Sequence, residues 1–152
     1  MQWVTRERVH LDRVAAPWLI RRFIDSEAEF LFICVDAAQE LPASAVPFGL
    51  PGVELSSHDA HGSTFRKIIG KYKLNDPALD LLTAIVEDGI DWFLAGHRGQ
   101  HRNAGALRHP EAIGIEAISR GMMLAASDDS ENIRFSEPIY DALYAWCASQ
   151  AS

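Results

Sequence analysis

The hydrophobic period of this chain changes near Ser63, and that change limits the folds open to it. Before it, apolar residues come in short extended runs. Trp3, Val4, Val9 and Leu11 fit a strand within residues 2–12, with Arg6, Glu7 and Arg8 as its exposed stretch or a bulge. EFLFICV (29–35) is a continuous aromatic and β-branched run of strand length, and PGVEL (51–55) would supply one more short strand. Between the first two runs, APWLIRRFID (16–25) carries an apolar stripe at helical spacing, with Pro17 in the first turn, where its missing N–H costs nothing.

After Ser63 the apolar positions recur at three- and four-residue spacing. Ser63 caps a helix over Thr64–Lys73, and Asp76-Pro77 opens another whose core face is Leu79, Leu82, Ile85 and Val86. Pro110–Met123 and Glu137–Ser149 predict two more helices. Residues 36–52 read as loop with a helical turn at 37–41, Gly96–Gly105 as a loop or broken helix, and SDDSEN (127–132) as a polar loop. The expected class is therefore α+β, with a small sheet from the N-terminal third packed with a mostly helical remainder. A length of 152 residues without repeats or linkers suits a single domain over 1–152.

Charge narrows the function. Formal net charge is −7, which argues against direct nucleic-acid binding, since that depends on basic residues neutralising phosphates. Of the 14 basic residues, 11 are Arg, whose planar fork grips oxyanions at two points. Cys34 and Cys147 form no C-x-x-C pair and read as small buried hydrophobes. The charged N-terminus is unlike a signal peptide and no apolar run is long enough to span a membrane, so a cytoplasmic location is expected.

Three polar groupings could carry chemistry. His10 and Asp12 are two apart, hence on one face of an extended strand, and offer nitrogen and oxygen to a divalent metal or form an acid–base pair; alternatively, Asp12 simply caps the following helix. Arg13 follows directly, and Arg21 and Arg22 lie further along the helix, where at most one faces the same site and both could equally form a solvated face. Glu54, His58, Asp59 and His61 form a second cluster just before a helix N-terminus, an end that favours anions. His97, His101 and His109 form a third, in which glycines make a shared helix face doubtful and a structural or exposed role is the simpler reading. No Walker loop, dinucleotide fingerprint, nucleophile elbow or zinc finger is present.

The block RVHLDRVAAPWLIRRFIDSEAEFLF resembles the opening of the C-terminal domain of ChrB-type chromate-resistance proteins. The resemblance continues through VPFGLPGVEL, KYKLNDPALDLLTAIV and IYDALYAWC, covering nearly the whole chain in order. It implies a part in chromate resistance, a stress response. In longer relatives this domain follows a region tied to transcriptional control of a chromate efflux operon; the chain begins about where the C-terminal domain does, so a stand-alone version is expected, and DNA binding is not carried over. Ala16 stands where the family often has Cys before Pro-Trp, and Ser63 stands where a Gly/His-rich stretch often ends in Cys, which removes thiol redox chemistry from the expectation here. A shorter likeness is to manganese-dependent phosphoesterases of the DHH type, which also begin with a strand ending in H-x-D.

Two readings follow. In the first the chain is a binding or sensing module, with His10, Asp12 and His58 holding a divalent metal (manganese, zinc or iron) and Arg13 and Arg22 gripping chromate or a similar oxyanion. The carboxylates of Asp12 and Glu54 would repel an oxyanion unless a cation lay between, so the metal would bind first. In the second the same metal serves an enzyme, a hydrolase or phosphoesterase or a redox centre turning over chromate or superoxide, with Glu54 or His61 as general base. An oligomer is compatible with either.

Overall fold

The computed structural model of the protein describes residues 1–34, 41–99, 103, 105 and 107–151. Its sheet is built from β1 (Gln2–Arg6), β2 (Glu29–Ile33) and β3 (Val46–Pro47), in the order β2-β1-β3 with both pairings parallel. Parallel neighbours need a crossover, and α1 (Asp12–Phe23) supplies it between β1 and β2. Central β1 is covered on both faces: Trp3, Val4 and Thr5 are all fully buried. Strand β2 is an edge strand and only half-buried, and it ends at Ile33 rather than at residue 35. PGVEL forms no strand. Leu55 is buried there, as is Leu50 just before it, and an isolated bridge joins Phe48 to Leu55.

The remainder is α2 (Thr64–Tyr72), α3 (Pro77–His97), α4 (Glu111–Ala125) and α5 (Asp129–Ala151). The sheet and the helices share one apolar core, so the architecture is α+β as the hydrophobic pattern predicts. Local caps behave as the sequence indicates. Ser63 Oγ accepts from the Arg66 N–H, and Asp76 Oδ1 accepts from the Ala78 N–H with Pro77 at the first helical position. Lys73, at φ 53°, closes α2 in the left-handed region. The turn expected at 37–41 lies, apart from Leu41, outside the described residues.

Two helices start earlier than the apolar stripes suggest. Helix α1 begins at Asp12, so Pro17 sits inside it rather than in its first turn. Helix α5 begins at Asp129 and takes up all but the first two residues of the expected polar loop. The segment caps itself: Asp128 Oδ1 accepts from the Glu131 N–H at 2.8 Å, and Glu131 Oε2 accepts from the Ser127 N–H at 2.6 Å. Acidic side chains suit a helix N-terminus, so this polar run is a helix start.

Helix α1 is clamped along its length. Trp18 stacks on Phe65 with an interplanar angle of 8° and donates from Nε1 to Asp141 Oδ1 on α5 at 2.7 Å. Arg22 forks onto both Asp141 oxygens, and Arg21 pairs with Glu137. At the other end, Asp12 receives the first N–H groups of α2: Thr64 N donates to Oδ2 at 2.8 Å and Phe65 N to Oδ1 at 3.0 Å. With Ser63 Oγ serving Arg66, the free donors of that helix end are accounted for. Asp12→Ala leaves two buried N–H groups unpaired. It is expected to lower the unfolding free energy by about 2–4 kcal/mol in urea titrations followed by circular dichroism, with Asp12→Asn losing less. A loss below about 1 kcal/mol would contradict this account of the joint.

Candidate functional site

In an open parallel sheet, ligands bind beyond the carboxyl ends of the strands, where connections leave in opposite directions. Here β1 lies between β2 and β3, and its carboxyl end opens into a cleft of about 780 Å³. Arg6, Glu7 and Arg8 come from the end of β1, Cys34 from the end of β2 and Gly49 from just after β3. His10, Asp12 and Arg13 enter from the β1–α1 turn, and Ser57, His58 and Thr64 from the approach to α2. Helices α3 and α4 close the far side with Ile90, Phe93, Leu94, Arg120 and Met123.

The β1–α1 turn is strained and tied down. Arg8 and Leu11 hold φ values of 59° and 49°, which cost non-glycine residues energy and persist only where surroundings enforce them. The enforcing contacts are visible. Asp129 accepts from the Arg8 and Val9 N–H groups at 2.9 and 2.8 Å, Ser119 Oγ from the Leu11 N–H at 2.6 Å, and Asn132 Nδ2 donates to the Val9 carbonyl. From inside, the Arg13 guanidinium donates to the carbonyls of Arg6, Glu7 and Arg8 at 2.6, 3.3 and 3.2 Å. Burial, with Arg6 nearby, pushes Arg13 down to about 10, so it stays charged at neutral pH. Its stem lies against Gly49, where a Cβ would come within 2.8 Å of Arg13 Cγ and Cδ at a φ of 63°.

The imidazoles face this turn with spare nitrogens. His10 Nε2 and His58 Nδ1 are buried and have no hydrogen-bond partner among the described residues. The His10 ring sits 4.8 Å from Phe93, and His58 Nε2 is 3.8 Å from Asp91 Oδ1. Burial lowers His10; Glu116 opposes that, while Arg120 and Arg13 push further down. Burial raises Asp12, opposed by the Phe65 and Thr64 hydrogen bonds and by nearby His58. Arg120 Nε donates to buried Glu116 at 3.0 Å, and its guanidinium lies over the Phe93 ring at 5.5 Å. Arg6 and Arg8 are exposed at the mouth, and among the described residues neither guanidinium has a hydrogen-bond or ion-pair partner.

Of the residues nominated from sequence, His10, Asp12, Arg13 and His58 meet in this cleft. Asp12 arrives with each oxygen already accepting a main-chain N–H, and Arg13 with its fork on three carbonyls. Arg22, Glu54 and His61 do not line it. Arg22 is spent on Asp141; Glu54 is 72% exposed and paired with Lys71; His61 is exposed, its N–H held by Asp59. Cys34 is exposed in the cleft rather than buried, whereas Cys147 is buried and pushed up to about 11 by that burial. His97 stacks on Phe93, His109 Nδ1 pairs with Asp88 at 2.9 Å, and His101 lies outside the described residues.

The sequence reading missed Arg6, Arg8, Phe93 and Arg120 as site residues. The clustering of Arg6, Arg8 and Arg13 around His10 was a usable signal; nothing local marks Arg120. Among the described residues no group of three or more His, Cys, Asp or Glu side chains is arranged to hold a metal ion.

A depressed imidazole has a definite sign in the pH dependence. His10 binds its proton less readily folded than unfolded, so its contribution to stability is full above about 6.5 and is lost as pH falls from there through the folded value. In chelator-treated protein the His10 ring protons are expected to titrate below 6.5 by NMR, and His10→Gln is expected to shrink the stability difference between pH 7.5 and pH 5.5. A midpoint above 6.5 would contradict the buried, neutral imidazole.

With this geometry established, comparison with known proteins adds the lineage. The family model described as "ChrB, C-terminal domain" matches residues 3–147. Protein ChrB of Cupriavidus metallidurans is 28% identical over 143 residues, an alignment that covers 94% of this chain and 40% of that relative. The chain thus spans well under half the length of the curated protein it matches, and no solved structure matches it. The matched span takes in the opening H-x-D-R block and the later blocks of the sequence: the chain belongs to the ChrB C-terminal-domain family, of the ChrB-type chromate-resistance proteins.

Proposed function

We propose that this domain binds an oxyanion of the chromate type in the cleft at the carboxyl edge of its sheet, as a sensing or sequestering module in chromate resistance. One observation carries the reading: in a chain of net charge −7, four guanidiniums (Arg6, Arg8, Arg13 and Arg120) line one cleft. Of the carboxylates that line it, Asp12 is answered by two main-chain N–H groups, while Glu7 is exposed at the mouth; behind the lining, Glu116 is answered by Arg120. The repulsion expected of Glu54 is absent from the cleft, since that side chain pairs with Lys71 on the surface. Arg6 and Arg8 are free to fork onto an oxyanion, and Arg13 contributes positive field.

The two unpartnered imidazole nitrogens favour a second reading. His10, His58 and a remaining lone pair of Asp12 would hold a divalent cation such as manganese, zinc or iron only once their side chains turn toward one another, since as they stand they are not arranged around a metal position. Such a cation would also supply the Lewis acidity of the metal-dependent enzyme alternative. Glu54 and His61 lie outside the cleft, so a general base there would come from another group.

Calorimetric titration of chelator-treated protein with chromate is expected to show saturable binding. Arg6→Gln combined with Arg8→Gln should weaken it at least about tenfold, the loss of roughly one charge-assisted hydrogen bond. Arg22→Ala, remote from the cleft, should bind like the parent. Failure of the parent to bind chromate, sulfate or phosphate would remove the proposal. For the cation, His10→Ala and His58→Ala should each lower the manganese, zinc or iron retained after loading and desalting; unchanged content in both would exclude these ligands.

A further inference from the structure

A cleft of about 780 Å³ is far larger than a bare tetrahedral anion, which displaces the volume of only a few water molecules, and falls in the range that holds small organic ligands. Its two sides also differ. Arg6, Arg8 and Arg13 gather at the end of β1, while the wall formed by α3 and α4 is mostly apolar through Ile90, Phe93, Leu94 and Met123, its one cation, Arg120, being paired with Glu116. Phe93, Leu94 and Met123 are each only half-buried, so apolar surface remains open to a ligand. A site for an inorganic ion alone would have no use for that wall, because water against apolar surface is unfavourable and an oxyanion makes no good contact with it.

From this division we infer that the cleft is built for an organic oxyanion, a phosphate, phosphonate or carboxylate head carrying an aromatic or other apolar body, and that an inorganic oxyanion occupies only the head-group end. The inference rests on the oxyanion reading above and names the ligand class of that same site. The head lies against Arg6 and Arg8; the body lies along Phe93, Leu94 and Met123, where its burial adds affinity that a bare ion cannot gain.

The test compares inorganic phosphate, phenylphosphonate and benzyl alcohol by calorimetry on the full chain. Phenylphosphonate is expected to bind at least tenfold tighter than phosphate, and benzyl alcohol far more weakly than phenylphosphonate. Phe93→Ala should narrow the phenylphosphonate-to-phosphate ratio to under threefold. Met123→Ala, on the other helix, should narrow it independently should Phe93→Ala unfold, as judged by circular dichroism. Saturable phosphate binding with no gain for phenylphosphonate would overturn the inference and leave the oxyanion reading standing. Benzyl alcohol binding as tightly as phenylphosphonate, or none of the probes binding, would overturn both.

Discussion

Asp12 is the joint on which the site and much of the fold depend. It is the first residue of α1, and its carboxylate receives the Thr64 and Phe65 N–H groups at the start of α2. One side chain therefore fixes the directions of two helices relative to each other, and with them the loops that carry His10 on one side and His58 on the other. A short buried carboxylate can do this because a helix N-terminus presents converging donors and a favourable dipole. Those donors, with His58 close by, oppose the upward push of burial on the group.

Around that joint the cleft obeys a general rule of parallel sheets and departs from it in detail. The strand order leaves a crevice at the end of β1, as topology requires. What fills the crevice is local. The turn after β1 is held in an unfavourable backbone shape by Asp129, Ser119 and Asn132 from outside and by Arg13 from inside. Arg13 is thus a positioning residue whose charge still faces the cleft, which explains how a guanidinium with its donors committed can contribute to anion attraction through field rather than contact.

How much of this was legible in the sequence follows from distance along the chain. The Ser63 and Asp76-Pro77 caps are readable because a cap depends on the next few residues alone. His10, Asp12 and His58 stand out because polar pairs beside apolar runs are conspicuous, and they do share the cleft; that Asp12 would cap α2 rather than only its own helix was not, because its partners lie 52 and 53 residues away. PGVEL looks like a strand because Val53 and Leu55 alternate with polar or small residues, yet a loop packed on the core buries an apolar residue such as Leu55 equally well. Residues 127–132 look like a loop because they carry no apolar stripe, yet four of them form the first turn of α5, whose Asp129 faces the N-terminal turn as an acceptor. Arg22 reads as an anion ligand only until Asp141, 119 residues on, is seen beside it. Arg120 reaches the cleft from the fourth helix with no local mark at all.

The tethers of the β1–α1 turn span 108 to 123 residues, and their partners Ser119, Asp129 and Asn132 are made long after the turn itself. An emerging polypeptide holds β1, α1 and β2 long before it holds the groups that force Arg8 and Leu11 into shape. Contacts of such separation are slow to form, and here they gate the site and not merely the scaffold. The cleft therefore takes shape only after α5 has docked: a chain clipped ahead of Asp129 would keep every residue that lines the cleft and lose two of the three outside tethers that set its β1–α1 turn.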